Sequence, residues 1–245
     1  RRVGVGRVAG ISFIAWQIVQ GQSDEALDRD LVDEQQQAGN GMSETLDGDV
    51  PVPQEIEELQ LTGATVNDSD LEKIDHVRGL KRLWLNDSNS TDAGLEHLIN
   101  QPSLVFLSLE NTGVTDAGLQ SLVGMNDLQT LSLAKTKISD TGLIYLTSLP
   151  ALADLSLDGT SISDPALATL ANFKALVRLS LKDTHVTDDG LEPLSALSTL
   201  KEIRLDGTGV TDQGVNMLQQ SLPDCKISHT SSAKPPASSS ADERD

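Results

Sequence analysis

Between residues 56 and 218 a pattern of leucines recurs every 24 residues, and this repeat restricts the possible folds more than any other feature of the chain. The third unit, LVFLSLENTGVTDAGLQSL, and the fourth, LQTLSLAKTKISDTGLIYL, follow the template L-x-x-L-x-L-x-x-T-x-V-T-D-x-G-L-x-x-L. Such a fixed period indicates a stack of similar units. The first position of the seven units is occupied by Ile56, Leu80, Leu104, Leu128, Leu152, Leu176 and Leu200.

Each unit predicts one strand followed by one short helix. Segment 107–109 alternates leucine with serine, which is the periodicity of a strand that points Ser108 outward. Thr115 and Asp116, followed by leucines three residues apart, predict a helix start. Such a unit cannot bury its own apolar face, whereas stacked units can. The sequence therefore predicts an α/β solenoid about 34 Å long, with parallel strands on its concave face and short helices on its convex face.

One aspartate recurs at the predicted helix start of every unit. A carboxylate there accepts backbone N–H bonds and favours the positive helix end, at about 1 kcal/mol for each cap. Calcium needs several oxygens around one ion, and calcium-binding repeats use a Gly-Gly-x-Gly-x-Asp pattern that this chain lacks. We therefore interpret the column as structural caps. Its members are Asp68, Asp92, Asp116, Asp140, Asp164, Asp188 and Asp212.

Signals of enzymatic chemistry are missing from the sequence. No G-x-S-x-G, phosphate-binding glycine loop or H-E-x-x-H motif occurs. A single cysteine, Cys225, excludes an intrachain disulfide and a thiolate zinc site, and the four histidines form no local ligand pair. The sequence therefore predicts no catalytic residue, no cofactor and no metal. The net charge of −19 also argues against nucleic acid as a partner and favours a basic protein or one that is not electrostatically steered.

The flanks of the repeats differ from them in composition. Residues 1–21 begin with two arginines and continue as a mostly apolar run, which predicts a signal peptide or signal anchor; a buried or capping helix is the alternative. We therefore expect a membrane-anchored or exported protein at the periplasm or cell surface, with a cytoplasmic one as the alternative. Residues 22–55 form an acidic linker, interpreted as a solvated spacer or an interaction arm. Segment 225–228 predicts a capping strand that ends the repeat domain, 56–228, and residues 229–245 predict a disordered tail.

The L-x-x-L-x-L head of each unit resembles the leucine-rich repeat. The T-D-x-G-L-x-x-L half is similar to the repeats of F-box substrate receptors of ubiquitin ligases and to bacterial proteins with the same 24-residue unit, although threonine replaces their usual cysteine or asparagine after the strand. The resemblance implies a horseshoe or arc that binds proteins without catalysis of its own. Three functions follow: a membrane-tethered or exported binding module, a substrate-recognition subunit of an F-box-type ubiquitin ligase, or a structural surface protein without a specific ligand.

The outward strand positions predict where a protein or peptide ligand would bind a monomer of this chain. Four serines occupy the centre of the concave face and make it featureless, so that the larger side chains form two patches around them. Arg82, Trp84 and Phe106 have the composition of an interface hot spot; the alternative is that both rings pack against the N-terminal linker. The predicted binding residues are Arg82, Trp84, Phe106, Arg178, Lys182 and Arg204.

Overall fold

A computed structural model describes residues 2–4 as a strand and residues 56–230 in full. The predicted leader, apart from that strand, the acidic linker 22–55 and the tail from residue 231 onward lie outside the described residues. Within the described part, no helix is both long enough and apolar enough to cross a bilayer.

Nine short strands form one open sheet, in which every strand pairs in parallel with its neighbours in chain order. This confirms the predicted solenoid with one strand in each unit. The register advances by one repeat at each step, so that Arg82 lies opposite Phe106 and Trp84 opposite Ser108. The strands are β1 Arg2–Gly4, β2 Glu58–Gln60, β3 Arg82–Trp84, β4 Phe106–Ser108, β5 Thr130–Ser132, β6 Asp154–Ser156, β7 Arg178–Ser180, β8 Glu202–Arg204 and β9 Lys226–Ser228.

The helices that follow the strands are shorter than a regular α-helix needs to be stable alone, and several have 3₁₀ geometry. Each unit leaves few residues between its aspartate and the next strand, and the tighter 3₁₀ turn fits this length. The α-helices are α1 Asp68–Leu71, α2 Asp92–Leu95, α3 Leu143–Leu146, α4 Asp164–Leu170 and α5 Asp212–Ser221. The 3₁₀ helices are Glu72–His76, Glu96–Asn100, Gly118–Leu122, Asp188–Gly190 and Glu192–Ala196.

A single aliphatic core runs between the sheet and the helices through all seven units. Leu83, Leu107 and Leu131, the middle residues of three successive strands, are at most 1% exposed. Burial of a leucine side chain contributes roughly 1.5–3 kcal/mol. Because the middle residue of each strand is fixed in this core, the residues on either side of it are held outward on a rigid support.

The threonine after each of the strands β4 to β8 closes its own loop. Thr112 is buried, and its hydroxyl donates to the Leu109 carbonyl at 2.7 Å. Thr136 makes the equivalent bond to the Leu133 carbonyl at 2.6 Å. The sequence suggests that this hydroxyl serves the neighbouring loop, but its acceptor lies three residues back in the same unit, because the chain turns sharply there.

That turn requires one residue with left-handed backbone in each unit. The position is taken by glycine at Gly159, with φ of +64°, and by Asp87 and Asn111, with φ of +59° and +55°. These residue types adopt this conformation at low cost. Lys135 occupies the same position with φ of +56°, which is unfavourable for a residue with a long side chain.

Candidate binding surface on the strand face

The strand face consists of the outward side chains at the first and third positions of strands β2 to β8. Arg82 and Trp84 of β3, Phe106 of β4, Arg178 of β7 and Arg204 of β8 lie on it. Lys182 follows β7 by two residues. The structure therefore brings five of the six predicted residues to one face, in two groups, and places Lys182 beyond the end of β7. Strands β3 and β7 are four steps apart, which corresponds to about 19 Å at normal strand spacing.

The first group is centred on an aromatic pair. The ring centroids of Trp84 and Phe106 lie 4.8 Å apart with an interplanar angle of 39°, and both side chains are half-buried. Tilted contacts of this kind contribute about 0.5–1.5 kcal/mol beyond area burial. Arg82 lies on β3 together with Trp84, and its Nη1 donates to Glu58 Oε1 on the neighbouring strand β2 at 2.6 Å. The rings are therefore anchored to each other, and the arginine is anchored to a carboxylate.

The second group is made of two ion pairs. Arg178 Nη2 donates to Asp154 Oδ2 at 2.5 Å, and Arg204 Nε donates to Glu202 Oε1 at 2.9 Å. Both arginine side chains are more than half exposed, at 60% and 53%. Each positive charge on this part of the strand face is thus balanced by an adjacent carboxylate. Exposed pairs of this type add little stability.

Between and beneath these ion pairs lies a shallow depression of about 180 Å³ over strands β5 to β8. The sequence suggests that the serine column is a featureless centre, and the structure corrects this. Because serines stand between longer side chains, they form a floor with walls around it. This size pattern was visible in the sequence as small residues flanked by arginine, aspartate and glutamate. The depression is lined mainly by Ser132, Asp154, Ser156, Arg178, Ser180 and Arg204.

Two polar atoms in this depression have no hydrogen-bond partner among the described residues. They are Asp154 Oδ1 and Ser180 Oγ, and both are covered from solvent. A buried acceptor or donor left unpaired costs about 1–3 kcal/mol, and folded proteins contain few of them. The depression therefore combines paired charges with unused hydrogen-bonding capacity.

Comparison with known protein families identifies this architecture. The family described as Leucine Rich repeat matches residues 124–146 and 175–195, which fall in the fourth and sixth units. The chain contains leucine-rich repeats. A comparison with functionally curated proteins finds no match.

Solved structures of other leucine-rich repeat proteins resemble this one. Internalin C2 from Listeria monocytogenes is 22% identical with a TM-score of 0.50, over 67% of this chain and 84% of that chain. A second internalin from Listeria monocytogenes is 24% identical with a TM-score of 0.49, over 65% and 51%. A leucine-rich repeat protein of Leptospira interrogans is 18% identical with a TM-score of 0.45, over 64% and 50%. The chain spans about half the length of the last two proteins. The likeness to internalin C2 concerns the fold.

The aspartate column of this leucine-rich repeat protein makes its bonds between units. Asp140 Oδ1 accepts from the Ser163 backbone N–H at 2.7 Å, and its Oδ2 accepts from the Ser163 hydroxyl at 2.5 Å. The sequence predicts a cap within the same unit, and the structure differs because the Asp140 carboxylate points toward the next repeat. The same arrangement joins Asp68 to Thr91, Asp92 to Thr115, Asp116 to Ser139, Asp164 to Thr187 and Asp188 to Thr211.

Asp212, the last aspartate of the column, lies at the end of this network. Asp212 has a side chain that is 79% exposed, and it lies 3.4 Å from His229.

Among the residues that the structure describes, no group of three or more histidines, cysteines, aspartates or glutamates is placed to hold a metal ion. Burial raises the pKa of Cys225, the free thiol before β9.

Proposed function

We propose that this leucine-rich repeat protein is a non-enzymatic module that binds a protein or peptide ligand on its strand face, the side predicted to be concave. The observation that carries the proposal is the contact between Trp84 and Phe106, whose centroids lie 4.8 Å apart on adjacent strands. The few residues that dominate the binding energy of protein interfaces are enriched in tryptophan, tyrosine and arginine. Because the leucine core fixes strands β3 and β4, the rings are ordered before binding, which lowers the entropic cost of association.

The second group of residues extends this surface. Arg178 and Arg204 lie toward the C-terminal end of the strand face, each paired with a carboxylate, and Lys182 lies two residues beyond β7. A ligand that spans both groups would contact strands β3 to β8, which is a distance of about 24 Å at normal strand spacing. This length suits an extended segment or one edge of a small domain.

Affinity capture with the full chain, followed by titration calorimetry of the captured protein, tests the proposal. Trp84→Ala is expected to weaken binding at least tenfold, which corresponds to about 1.4 kcal/mol. Ile99→Ala is the matched control, since Ile99 is 65% exposed and lies in the 3₁₀ helix Glu96–Asn100 on the opposite side of the core. Wild-type affinity in the Trp84 variant, or an equal loss in the control, would overturn the proposal.

The alternative that the N-terminal linker covers the aromatic pair has its own test. Trp16→Phe leaves Trp84 as the single tryptophan of the full chain. Strong quenching of its fluorescence by acrylamide would indicate accessible rings, and weak quenching with blue-shifted emission would indicate a covered pair. Only the first result is compatible with a free binding surface.

We further propose that residues 1–21 export the chain or tether it to a membrane. The basic start and apolar run support this. The pairing of β1 with β2 instead supports a cap on the first unit, formed by a strand where the sequence alternative is a buried or capping helix. Fractionation of the full chain against one that starts at Ser23 separates the two. The F-box-type receptor, the structural surface protein and a cytoplasmic location stay predictions of the sequence.

A further inference from the structure

The depression over strands β5 to β8 contains two ion pairs and two polar atoms without a hydrogen-bond partner. Arg178 is paired with Asp154, and Arg204 is paired with Glu202. Asp154 Oδ1 and Ser180 Oγ nevertheless lack partners among the described residues. The site therefore offers one carboxylate acceptor and one hydroxyl that can donate or accept.

This combination disfavours charged ligand groups. A cation that binds Asp154 or Glu202 meets Arg178 and Arg204, and an anion that binds the arginines meets both carboxylates. Either one would also compete with an existing ion pair. A neutral group that donates at one atom and accepts at another satisfies Asp154 and Ser180 and leaves both ion pairs in place.

The volume of the depression limits which ligand groups can occupy it. Its volume of about 180 Å³ is smaller than the 300–1,000 Å³ typical of sites that enclose a whole small molecule. It is suited to one side chain of a larger ligand. Among protein side chains, asparagine and glutamine carry two donors and a carbonyl acceptor on one planar, uncharged group.

We propose that this depression is a subsite for a carboxamide side chain, asparagine or glutamine, of the protein ligand. The inference rests on the proposed function, in which the strand face binds a protein. The amide N–H donates to Asp154 Oδ1, and the amide oxygen accepts from the Ser180 hydroxyl. Since both atoms are covered, the Asp154 carboxylate and the Ser180 hydroxyl must turn to meet the ligand. Arg178 can follow Asp154 and keep their ion pair, because 60% of its side chain lies in solvent.

Nuclear magnetic resonance titration of the full chain tests the subsite directly. The probe is N-acetyl-glutamine N-methylamide, and the matched probes are the corresponding glutamate and lysine derivatives. We expect the glutamine probe to shift the backbone amides of Ser156 and Ser180 with millimolar affinity, and the charged probes to bind at least threefold more weakly. No shift, or tighter binding of a charged probe, overturns the proposal. Tighter binding of methyl glucoside would also overturn it, in favour of a carbohydrate.

Substitution of Asp154 and Ser180 tests whether the changes in chemical shift depend on their two unpartnered atoms. Asp154→Ala and Ser180→Ala are expected to weaken the glutamine probe at least threefold. Glu58→Ala and Ser108→Ala are the matched controls, since they stand at the same strand positions four and three repeats earlier. Unfolding midpoints in urea show that each variant is folded. Retention of probe binding in both test variants overturns the proposal.

Failure of the subsite can be separated from failure of the proposed function. The captured protein ligand is measured with the Trp84→Ala and Ser180→Ala variants. Dependence on Trp84 without dependence on Ser180 overturns the carboxamide subsite alone. If the affinity for the protein ligand does not depend on Trp84, the proposed role of the aromatic pair in binding is overturned, whatever the small probes show at the depression.

Discussion

Asp116 in the third unit binds Ser139 in the fourth through both carboxylate oxygens. Oδ1 accepts from the Ser139 backbone N–H at 2.8 Å, and Oδ2 accepts from its hydroxyl at 2.5 Å. The two residues are 23 positions apart, so this contact belongs to the interface between units. The equivalent contact recurs at six of the unit interfaces, which makes it a regular part of the mechanism that stacks the repeats.

The first prediction concerns the free energy of unfolding when this contact is removed. Asp140→Ala is expected to cost about 1–3 kcal/mol, because the Ser163 N–H is left unpaired at a partly buried position. Asp212→Ala should cost less than about 0.5 kcal/mol, because that side chain is 79% exposed and no repeat follows it. Equilibrium urea unfolding of both variants at one fixed pH measures both losses.

A substitution in the core gives a reference value for the losses of stability at Asp140 and Asp212. Leu131→Ala should cost about 2–5 kcal/mol, as expected for a leucine that is 1% exposed. A loss at Asp140 equal to that at Asp212 would mean that the contact between units adds nothing. A loss at Asp140 larger than that at Leu131 would assign the aspartates a role beyond stacking.

The second prediction concerns the glycine that faces each aspartate. A Cβ placed on Gly118 would lie 2.4 Å from Asp92 Oδ1 and 3.1 Å from Leu95 Cδ1. Gly118→Ala is therefore expected to destabilise the chain by about 1–2 kcal/mol. In an Asp92→Ala background the same substitution should be neutral or stabilising, since alanine is the better helix former.

A double-mutant cycle measured by urea unfolding gives the coupling, which we expect to lie at about 1–3 kcal/mol. The fifth unit supplies a natural reference, because Ala166 stands opposite Asp140 and the bonds to Ser163 are kept. Additive effects in the cycle would show that the aspartate is not the reason for glycine at this position.

The third prediction concerns backbone strain at Lys135. Its φ of +56° is a conformation in which glycine has no steric penalty, so Lys135→Gly should stabilise the chain by about 0.5–1 kcal/mol. The exposed pair between Lys135 and Glu110, at 3.1 Å, is too weak to offset this. Lys137→Gly, two residues further on, is the control and should destabilise by a similar amount. Thermal and urea unfolding of both variants show whether each substitution raises or lowers the free energy of unfolding.

The fourth prediction concerns stability in acid. Hydrogen bonds from Asn100 and then His97, both at 3.0 Å, lower the pKa of Asp75. A lowered pKa in the folded state means that the contribution of Asp75 is fully present above the unfolded value of about 3.9 and is lost as the pH falls through the folded value. Asp75→Asn should therefore flatten the decline in stability below about pH 4. The same change at the exposed Asp127 should leave the profile as in the wild type, and identical profiles for both would contradict the prediction.

The strands and the core were predictable because one rule determines them. Leucines that alternate with polar residues place Leu107 inward and Ser108 on the strand face, and a constant 24-residue spacing makes neighbouring strands pair in register. The closeness of Trp84 and Phe106 follows from that register. The ring contact of 4.8 Å and the turn of Arg82 toward Glu58 depend on side-chain rotamers that spacing alone does not specify.

The aspartate contacts and the depression were not predictable in the same way. The partner of Asp116 is 23 residues away and depends on how far one unit is offset from the next. The depression depends on differences in side-chain length across four strands, and each serine by itself suggests only a flat surface. The short 3₁₀ helices also differ from the regular helix that Asp116 and its following leucines suggest, because each unit leaves too few residues for one.

The contact between Asp116 and Ser139 also affects how such an array changes in length during evolution. Every internal unit carries one aspartate that reaches forward and one serine or threonine that is reached from behind. A deletion of 24 residues anywhere inside the array therefore joins an aspartate to a matching hydroxyl, and a duplication of 24 residues adds one complete contact. Unequal recombination in the gene can shorten or lengthen the protein without creating a mismatched interface, while the end units remain unchanged.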